Sequence, residues 1–387
     1  MINFDEYINR NETLSVKWDG LEKIFGDSDL LPMWVADMDF RPPIQVLEQM
    51  KQRIEHGVFG YTIIDESAQS AITTWTKKRH NWKIEPEWLL FSPGVVPSIA
   101  MAVQAFTEVG DKVLVQSPVY TPFFNIIESN MREVVNAELV QKNGRYEIDF
   151  IDFEEKLKSG VKLFLLCSPH NPTGRVWMQD ELNRMAALCK KYDVIIASDE
   201  IHADIVMPPY KHIPIASLKE SYADKTLTFM APSKTFNLAG LQASFMVVPN
   251  QEMRDKIAEI QAKNGFFSLN TFGIIAMEAA YAHGEQWIDE LLTYIGTNID
   301  LIKGTIKENL PKLTVIEPEG TYLVWIDCRK TGLSDEDLRK VLLEIGKLAV
   351  NFGEAYGPGG EGFIRINAAC RKETVEEGLK RLQLALG

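Results

Sequence analysis

The sequence predicts an α/β fold: a large domain on a mostly parallel central sheet, plus a smaller α+β domain. Three observations carry this expectation. Six short apolar runs lie between Trp88 and Val248, rich in β-branched and aromatic residues and largely without alternation. Such runs suit strands buried on both faces of a parallel sheet. Amphipathic stretches separate several of them, as in an alternating strand–helix chain. Finally, 387 residues exceed what one hydrophobic core usually fills.

Residues 1–45 are loop-rich, with Pro32, Pro42 and Pro43, and are expected to lie against the smaller domain. The six runs are Trp88–Ser92, Lys112–Gln116, Lys162–Cys167, Val194–Ala197, Thr226–Met230 and Ala243–Val248. Between two of them, Leu182, Met185, Ala186, Cys189 and Tyr192 recur at helical spacing. Asp180 and Glu181 stand early and Lys190 and Lys191 late, matching the helix dipole. A long helix is expected over Gln286 to Glu308. Trp287, Leu291, Ile295, Ile299, Ile302 and Ile306 form its stripe, and Pro311 closes it. Beyond it, Tyr322–Cys328, a helix near Asp335–Ile345, Leu348–Phe352 and Phe363–Asn367 read as α+β. The expected division is a large domain over 46–284 and a small one from 1–45 with 285–387.

Composition narrows the function. A net charge of −13 argues against a nucleic-acid partner, whose phosphates need a basic surface. No apolar run approaches the roughly 20 residues of a membrane span. Met1–Arg10 is polar and acidic, unlike a signal peptide. Cys167, Cys189, Cys328 and Cys370 have no metal-knuckle spacing and lie in apolar segments, so they read as buried thiols of a reducing compartment. The cytoplasm is the expected location.

Unusual chemistry follows the C-terminal ends of five runs, where open α/β sheets bind ligands. Ser92-Pro93-Gly94-Val95-Val96 leads into a helix whose first amides could hold a phosphate. In Ser117-Pro118-Val119-Tyr120 the tyrosine is placed to stack on a planar group; standing alone it would be a core residue. Ser168-Pro169-His170-Asn171-Pro172-Thr173-Gly174 fixes a turn in which Asn171 can donate to a ring oxygen. His170 has no second metal ligand at a ligand spacing. Asp199, at the end of Val194–Ala197, is costly to bury unless paired, and a protonated pyridine nitrogen would pair it. His202 is either a supporting partner of Asp199 or a core histidine. Lys234, in Ala231-Pro232-Ser233-Lys234-Thr235-Phe236-Asn237, would lose hydration and gain nucleophilicity. Gly357-Pro358-Gly359-Gly360-Glu361-Gly362 fits a dinucleotide-binding pattern, but a strand-like segment follows where that motif needs a helix.

Asn171-Pro172-Thr173-Gly174, Asp199-Glu200 and Ser233-Lys234-Thr235-Phe236, in that order and spacing, resemble the class I/II aminotransferase family. Its members are enzymes dependent on pyridoxal 5′-phosphate (PLP), of the aspartate-aminotransferase-like fold type I. The resemblance covers almost the whole chain. Met33–Phe40, Asp199-Glu200-Ile201-His202-Ala203-Asp204 and Lys234–Asn237 look like the MalY/PatB-type carbon–sulfur β-lyases, often called cystathionine β-lyases. The resemblance implies that Lys234 carries PLP and moves the Cα proton, and that Asp199 pairs with the ring nitrogen. Asn171 would donate to the ring oxygen, and Tyr120 would stack on the ring. Val95, Val96 and Ser233 would hold the phosphate. Tyr61 would reach the phosphate of a neighbouring subunit, implying a homodimer, and Arg365 would grip the substrate carboxylate. Two positions depart from many relatives: Gln242 replaces an arginine and Ala231 a serine, which leaves the phosphate site less positive. β-Elimination from a small thiol-bearing amino acid is the expected reaction. Transamination shares its steps up to the carbanion, and a PLP-binding regulator contacting a transcription factor would keep the same motifs.

Overall fold

Extended runs of Val, Leu, Ile and Phe cannot leave both faces in water, and the chain buries them in one seven-stranded sheet. The computed structural model describes residues 2–387. The first ten strands, in chain order, are β1 (Leu31–Pro32), β2 (Leu89–Ser92), β3 (Lys112–Val115), β4 (Glu133–Asn136), β5 (Leu139–Lys142), β6 (Arg145–Ile148), β7 (Val161–Cys167), β8 (Ile195–Asp199), β9 (Thr226–Met230) and β10 (Ser244–Val247). The large sheet has the order β2-β10-β9-β8-β7-β3-β4. Neighbours from β9 to β4 run parallel, whereas β10 runs antiparallel to both β2 and β9.

That reversal corrects the reading of Ala243–Val248 as one more parallel strand. Between β9 and β10 the chain holds only one α-helical turn, Pro232–Thr235, and one 3₁₀ turn, Ala239–Leu241. This is too little to carry it back across the sheet, as a parallel return requires. β10 therefore starts at the edge where β9 ends, which places Gln242 beside the other strand ends. Two further features escape the pattern of apolar runs. β4 is a short edge strand beginning on Glu133, as edges tend to be. β5 and β6 form a hairpin across Asn143 and Gly144, both at positive φ (51° and 77°), a turn chemistry the residues do announce.

Helices cover both faces. Val95–Phe106 packs Ile99, Ala102 and Val103 on one side. Gln179–Lys191 packs Leu182, Met185, Ala186 and Cys189 on the other, the stripe expected from sequence. The long helix spans Glu285–Asn309, and its six stripe residues are all buried.

The remaining strands are β11 (Thr314–Val315), β12 (Leu323–Asp327), β13 (Leu348–Ala349), β14 (Asn351–Phe352) and β15 (Phe363–Asn367). A second sheet has the order β11-β12-β15-β14. The helix expected near Asp335–Ile345 is α-helical over Asp335–Lys340 and widens to a π turn at Val341–Ile345. β1 pairs in parallel with β13, so the N-terminal arm does lie against this part of the chain. After the glycine-rich segment comes β15, a strand rather than a helix.

Candidate active site

The loops at the C-terminal ends of β2, β3, β7, β8 and β9 close around a cavity of about 380 Å³. Lys234, Asp199, Asn171, Tyr120, His202, Ser233, Val95, Val96 and Arg365 all line it. Tyr61 does not; its side chain is fully exposed elsewhere on the surface.

Lys234 is the third residue of the turn Pro232–Thr235, and its Nζ donates to the Ala36 carbonyl at 2.6 Å. Burial of the amine, then the charge of Arg365, pulls its pKa down to about 8. Asp199 ends β8 and accepts a hydrogen bond from the Ile201 amide at 3.1 Å. Burial pushes its pKa up to about 7, because Lys234 offsets little of the desolvation. A buried acid of this kind is short of a cation.

Arg365 has the opposite deficit. It is buried in β15, and its donors go to neutral oxygens: Asn171 Oδ1 at 2.9 Å, Asn351 Oδ1 at 2.5 Å and the Trp34 carbonyl at 2.9 Å. Its Nε has no partner among the described residues. No carboxylate among the described residues neutralises this guanidinium, although buried cations normally have one. The bond from Arg365 engages the oxygen of Asn171, so the amide nitrogen of Asn171 is the end left to donate into the cavity.

His202 makes no hydrogen bond to Asp199, and its Nδ1 is unpartnered among the described residues. Burial and the nearby charges of Lys234 and Arg365 hold it neutral, with its pKa well below the usual value. Its edge faces Tyr322, ring centroids 5.9 Å apart. Burial lifts the Tyr120 phenol to about 12, so it stays protonated. His170 uses both ring nitrogens internally, at 3.3 Å from the Gln116 carbonyl and 2.9 Å from Thr173 Oγ1, and burial holds its pKa near 3. It braces the Asn171 turn. Gly174 ends that turn at φ +72°, with Pro318 Cα only 3.2 Å from where a Cβ would sit. The helix Val95–Phe106 starts at Gly94 without a side-chain cap, and its first amides open beside Ser233 and Gln242 in the same cavity.

Several lining residues carry no signal in sequence. Asn351 stands opposite Arg365 across the β14–β15 pair, and only that register joins them. Trp34 and Ala36 supply carbonyls, which any residue type could do.

Residues 28–382 match the family model for aminotransferase class I and II. The chain belongs to this family. Cystathionine beta-lyase PatB of Bacillus subtilis strain 168 is 47% identical to it over the full length of both proteins. A PLP-bound structure from Clostridium difficile 630, named as an aminotransferase, superposes with a TM-score of 0.99 at 44% identity, covering all of both chains. The PLP-bound C-S lyase of Staphylococcus hominis superposes with a TM-score of 0.93 at 34% identity, covering 100% of this chain and 98% of that one. This member of the aminotransferase family is thus similar along its whole length to proteins named for two different outcomes on one cofactor.

Proposed function

We propose that this protein is a PLP-dependent carbon–sulfur β-lyase acting on cystathionine or related cysteine S-conjugates, releasing thiol, pyruvate and ammonia. The observation that carries the choice of reaction is the 47% full-length identity to a protein named cystathionine beta-lyase. The cavity supports the cofactor chemistry independently.

The residues present fit PLP. Asp199 is a buried acid without a cation, as a pyridinium partner must be. Lys234 supplies a shielded amine of lowered basicity, suited to holding the aldehyde carbon covalently. Asn171 has an amide nitrogen free for the ring oxygen, and Tyr120 offers an aromatic face. Val95 and Val96 amides, Ser233 and Gln242 would take the phosphate, with helix-terminal polarity in place of a side-chain cation. When bound, PLP serves as the electron sink that stabilises a carbanion at the substrate Cα.

The chain's own groups then divide the work. Arg365 would bind the substrate carboxylate, whose charge the neutral oxygens around the guanidinium do not supply. Asn351 and the Trp34 carbonyl hold Arg365 in place from behind. Lys234, the amine lining the cavity, would take the substrate Cα proton; a positioned base contributes about 10²–10⁴-fold. Ala36, whose carbonyl accepts from both Lys234 and the Tyr322 hydroxyl, keeps that amine at the cavity wall. The separate sheets support a division into a large cofactor-holding domain over 46–284 and a small domain from 1–45 with 285–387. We place the protein in the cytoplasm; its four unpaired buried cysteines suit a reducing compartment. Tyr61, exposed in the single chain, is assigned to the phosphate site of a second subunit in a homodimer.

Incubation with L-cystathionine and PLP, without an oxo-acid, tests the reaction. A β-lyase turns over many times, because the amino group leaves as ammonia, and yields pyruvate, ammonia and thiol in equal amounts. The aminotransferase reading, which the C. difficile neighbour's name favours, expects a stop after about one turnover per site and recovery on adding an oxo-acid. That pattern would reverse the assignment. Inactivity toward both cystathionine and S-alkyl cysteines would favour a regulatory role.

A further inference from the structure

The residue after the lysine faces away from the cavity. Thr235 is buried, does not line the cavity, and donates its hydroxyl to Asp204 Oδ2 at 2.8 Å. Asp204 is itself buried. Its other oxygen accepts the indole N–H of Trp75 at 2.9 Å and stands 3.0 Å from His80 Nε2. No lysine or arginine is paired with it among the described residues. Trp75 and His80 both come from the helix Glu66–His80, so Asp204 ties that helix to the lysine turn.

Two facts make this more than packing. The lysine sits in a helix of one turn, Pro232–Thr235, closed by the Phe236 amide on the Pro232 carbonyl and the Leu238 amide on the Ser233 carbonyl. One turn does not hold its own geometry in water, since nucleation is costly. Outside contacts must fix it: beside the Leu238 bond to Ser233, Thr235–Asp204 is the side-chain contact that holds the other neighbour of Lys234. In addition, a buried carboxylate is expensive, and apolar replacement of such groups is often neutral or stabilising. Asp204 does what an apolar residue could not: it holds the Thr235 hydroxyl at a fixed distance.

We infer that Asp204 and Thr235 are positioning residues that aim the Lys234 amine from behind the cavity. This rests on the reading of Lys234 as the cofactor-binding lysine. Thr235 touches neither cofactor nor substrate in this scheme. Its hydroxyl limits the directions that Lys234 can take.

The test uses Thr235→Val, which keeps the shape and removes the hydroxyl, and Thr235→Ser, which keeps the hydroxyl. Cofactor-free protein is mixed with PLP, and the rate of covalent attachment is followed by the visible band. The circular dichroism of that band is then measured per bound cofactor, together with kcat, KM and melting temperature. Thr235→Val should attach PLP at least tenfold more slowly and lose over half the dichroic signal. Its kcat should fall about 10–100-fold with KM within twofold, since small misplacements of a reacting group cost that much. Thr235→Ser should stay within about threefold of the parent. If Thr235→Val fails to fold, Thr235→Ala, which also lacks the hydroxyl, is read the same way. Parental attachment rate and dichroism in Thr235→Val would overturn the inference, and so would a Thr235→Ser variant as poor as Thr235→Val. Covalent attachment that persists in Lys234→Ala would instead overturn the reading beneath it, which keeps the two failures separate.

Discussion

At the scale of single residues, the cavity is a set of unmet electrostatic demands. Asp199 lacks a cation, Arg365 lacks an anion, and Lys234 is an amine that burial has made less basic. Asp199 and Lys234 are legible in sequence, because a charged group at the end of an apolar strand is out of place unless it has a partner, whereas Arg365, in mid-strand, is reached through family resemblance. Their supporters were not legible: nothing about Asn351 or Tyr322 separates them from ordinary strand residues until the register is known. The lowered basicity of Lys234 has a kinetic consequence. Only the unprotonated amine attacks an aldehyde, and its share rises with pH until the pKa is passed. Covalent capture of PLP by cofactor-free protein should therefore quicken about tenfold per pH unit below about 8 and level off above it. A solvated lysine would continue to gain rate up to about 10.4. Stopped-flow absorbance from pH 6 to 10 reads the midpoint, and Lys234→Ala should show no covalent capture at any pH. A midpoint near 10 would remove the burial argument.

Elements show the same division between what patterns announce and what only folding reveals. The helix Glu285–Asn309 was readable to within a residue or two, since six apolar side chains repeat along it and Pro311 stops it. Met33–Phe40 draws notice only through family resemblance, and the structure shows it as a strap whose Trp34, Val35 and Ala36 line the cavity. Its backbone is stitched by side chains far away in sequence. Asn237 bonds the Met38 amide and the Met38 and Phe40 carbonyls, while Asn367 donates to the Val35 and Asp37 carbonyls at 2.6 Å each. Arg10 bridges Asp37 and Asp39, and buried Lys17 pairs with Asp39. No local pattern encodes such a strap, because its partners lie up to about 330 residues away along the chain. Asn367→Ala would leave both carbonyls without donors in a largely dry site. It should cost about 2–4 kcal/mol of stability, read as a lowered denaturation midpoint. The cavity would lose the fixed Ala36 carbonyl, so kcat should fall with it. An unchanged midpoint would mean that water replaces the asparagine and that the strap is held elsewhere.

For the whole molecule, the segment from Gly57 to Asp65 is the part that a single chain leaves unexplained. It follows the helix Ile44–His56 without helix or strand and presents Val58, Phe59, Tyr61 and Ile63 to solvent. Phe267 is almost fully exposed as well, and the rings of Phe59 and Phe272 are in contact at 5.7 Å. Apolar residues gathered in this way mark a surface that another chain covers. Under the proposal that Tyr61 acts across a two-fold dimer, every site would draw on both subunits: Lys234 from one and Tyr61 from its partner. Lys234→Ala and Tyr61→Ala should each impair both sites of their own dimers. Refolded together in equal amounts, half of the dimers are mixed, and each mixed dimer has one site with both residues intact and one with neither. Activity should then recover to about a quarter of the parent's, well above either variant alone. The recovery should depend on subunit exchange and vanish when the two variants are mixed as preformed, non-exchanging dimers. Activity that remains at the average of the two variants after co-refolding would show that Tyr61 serves the site of its own chain or none.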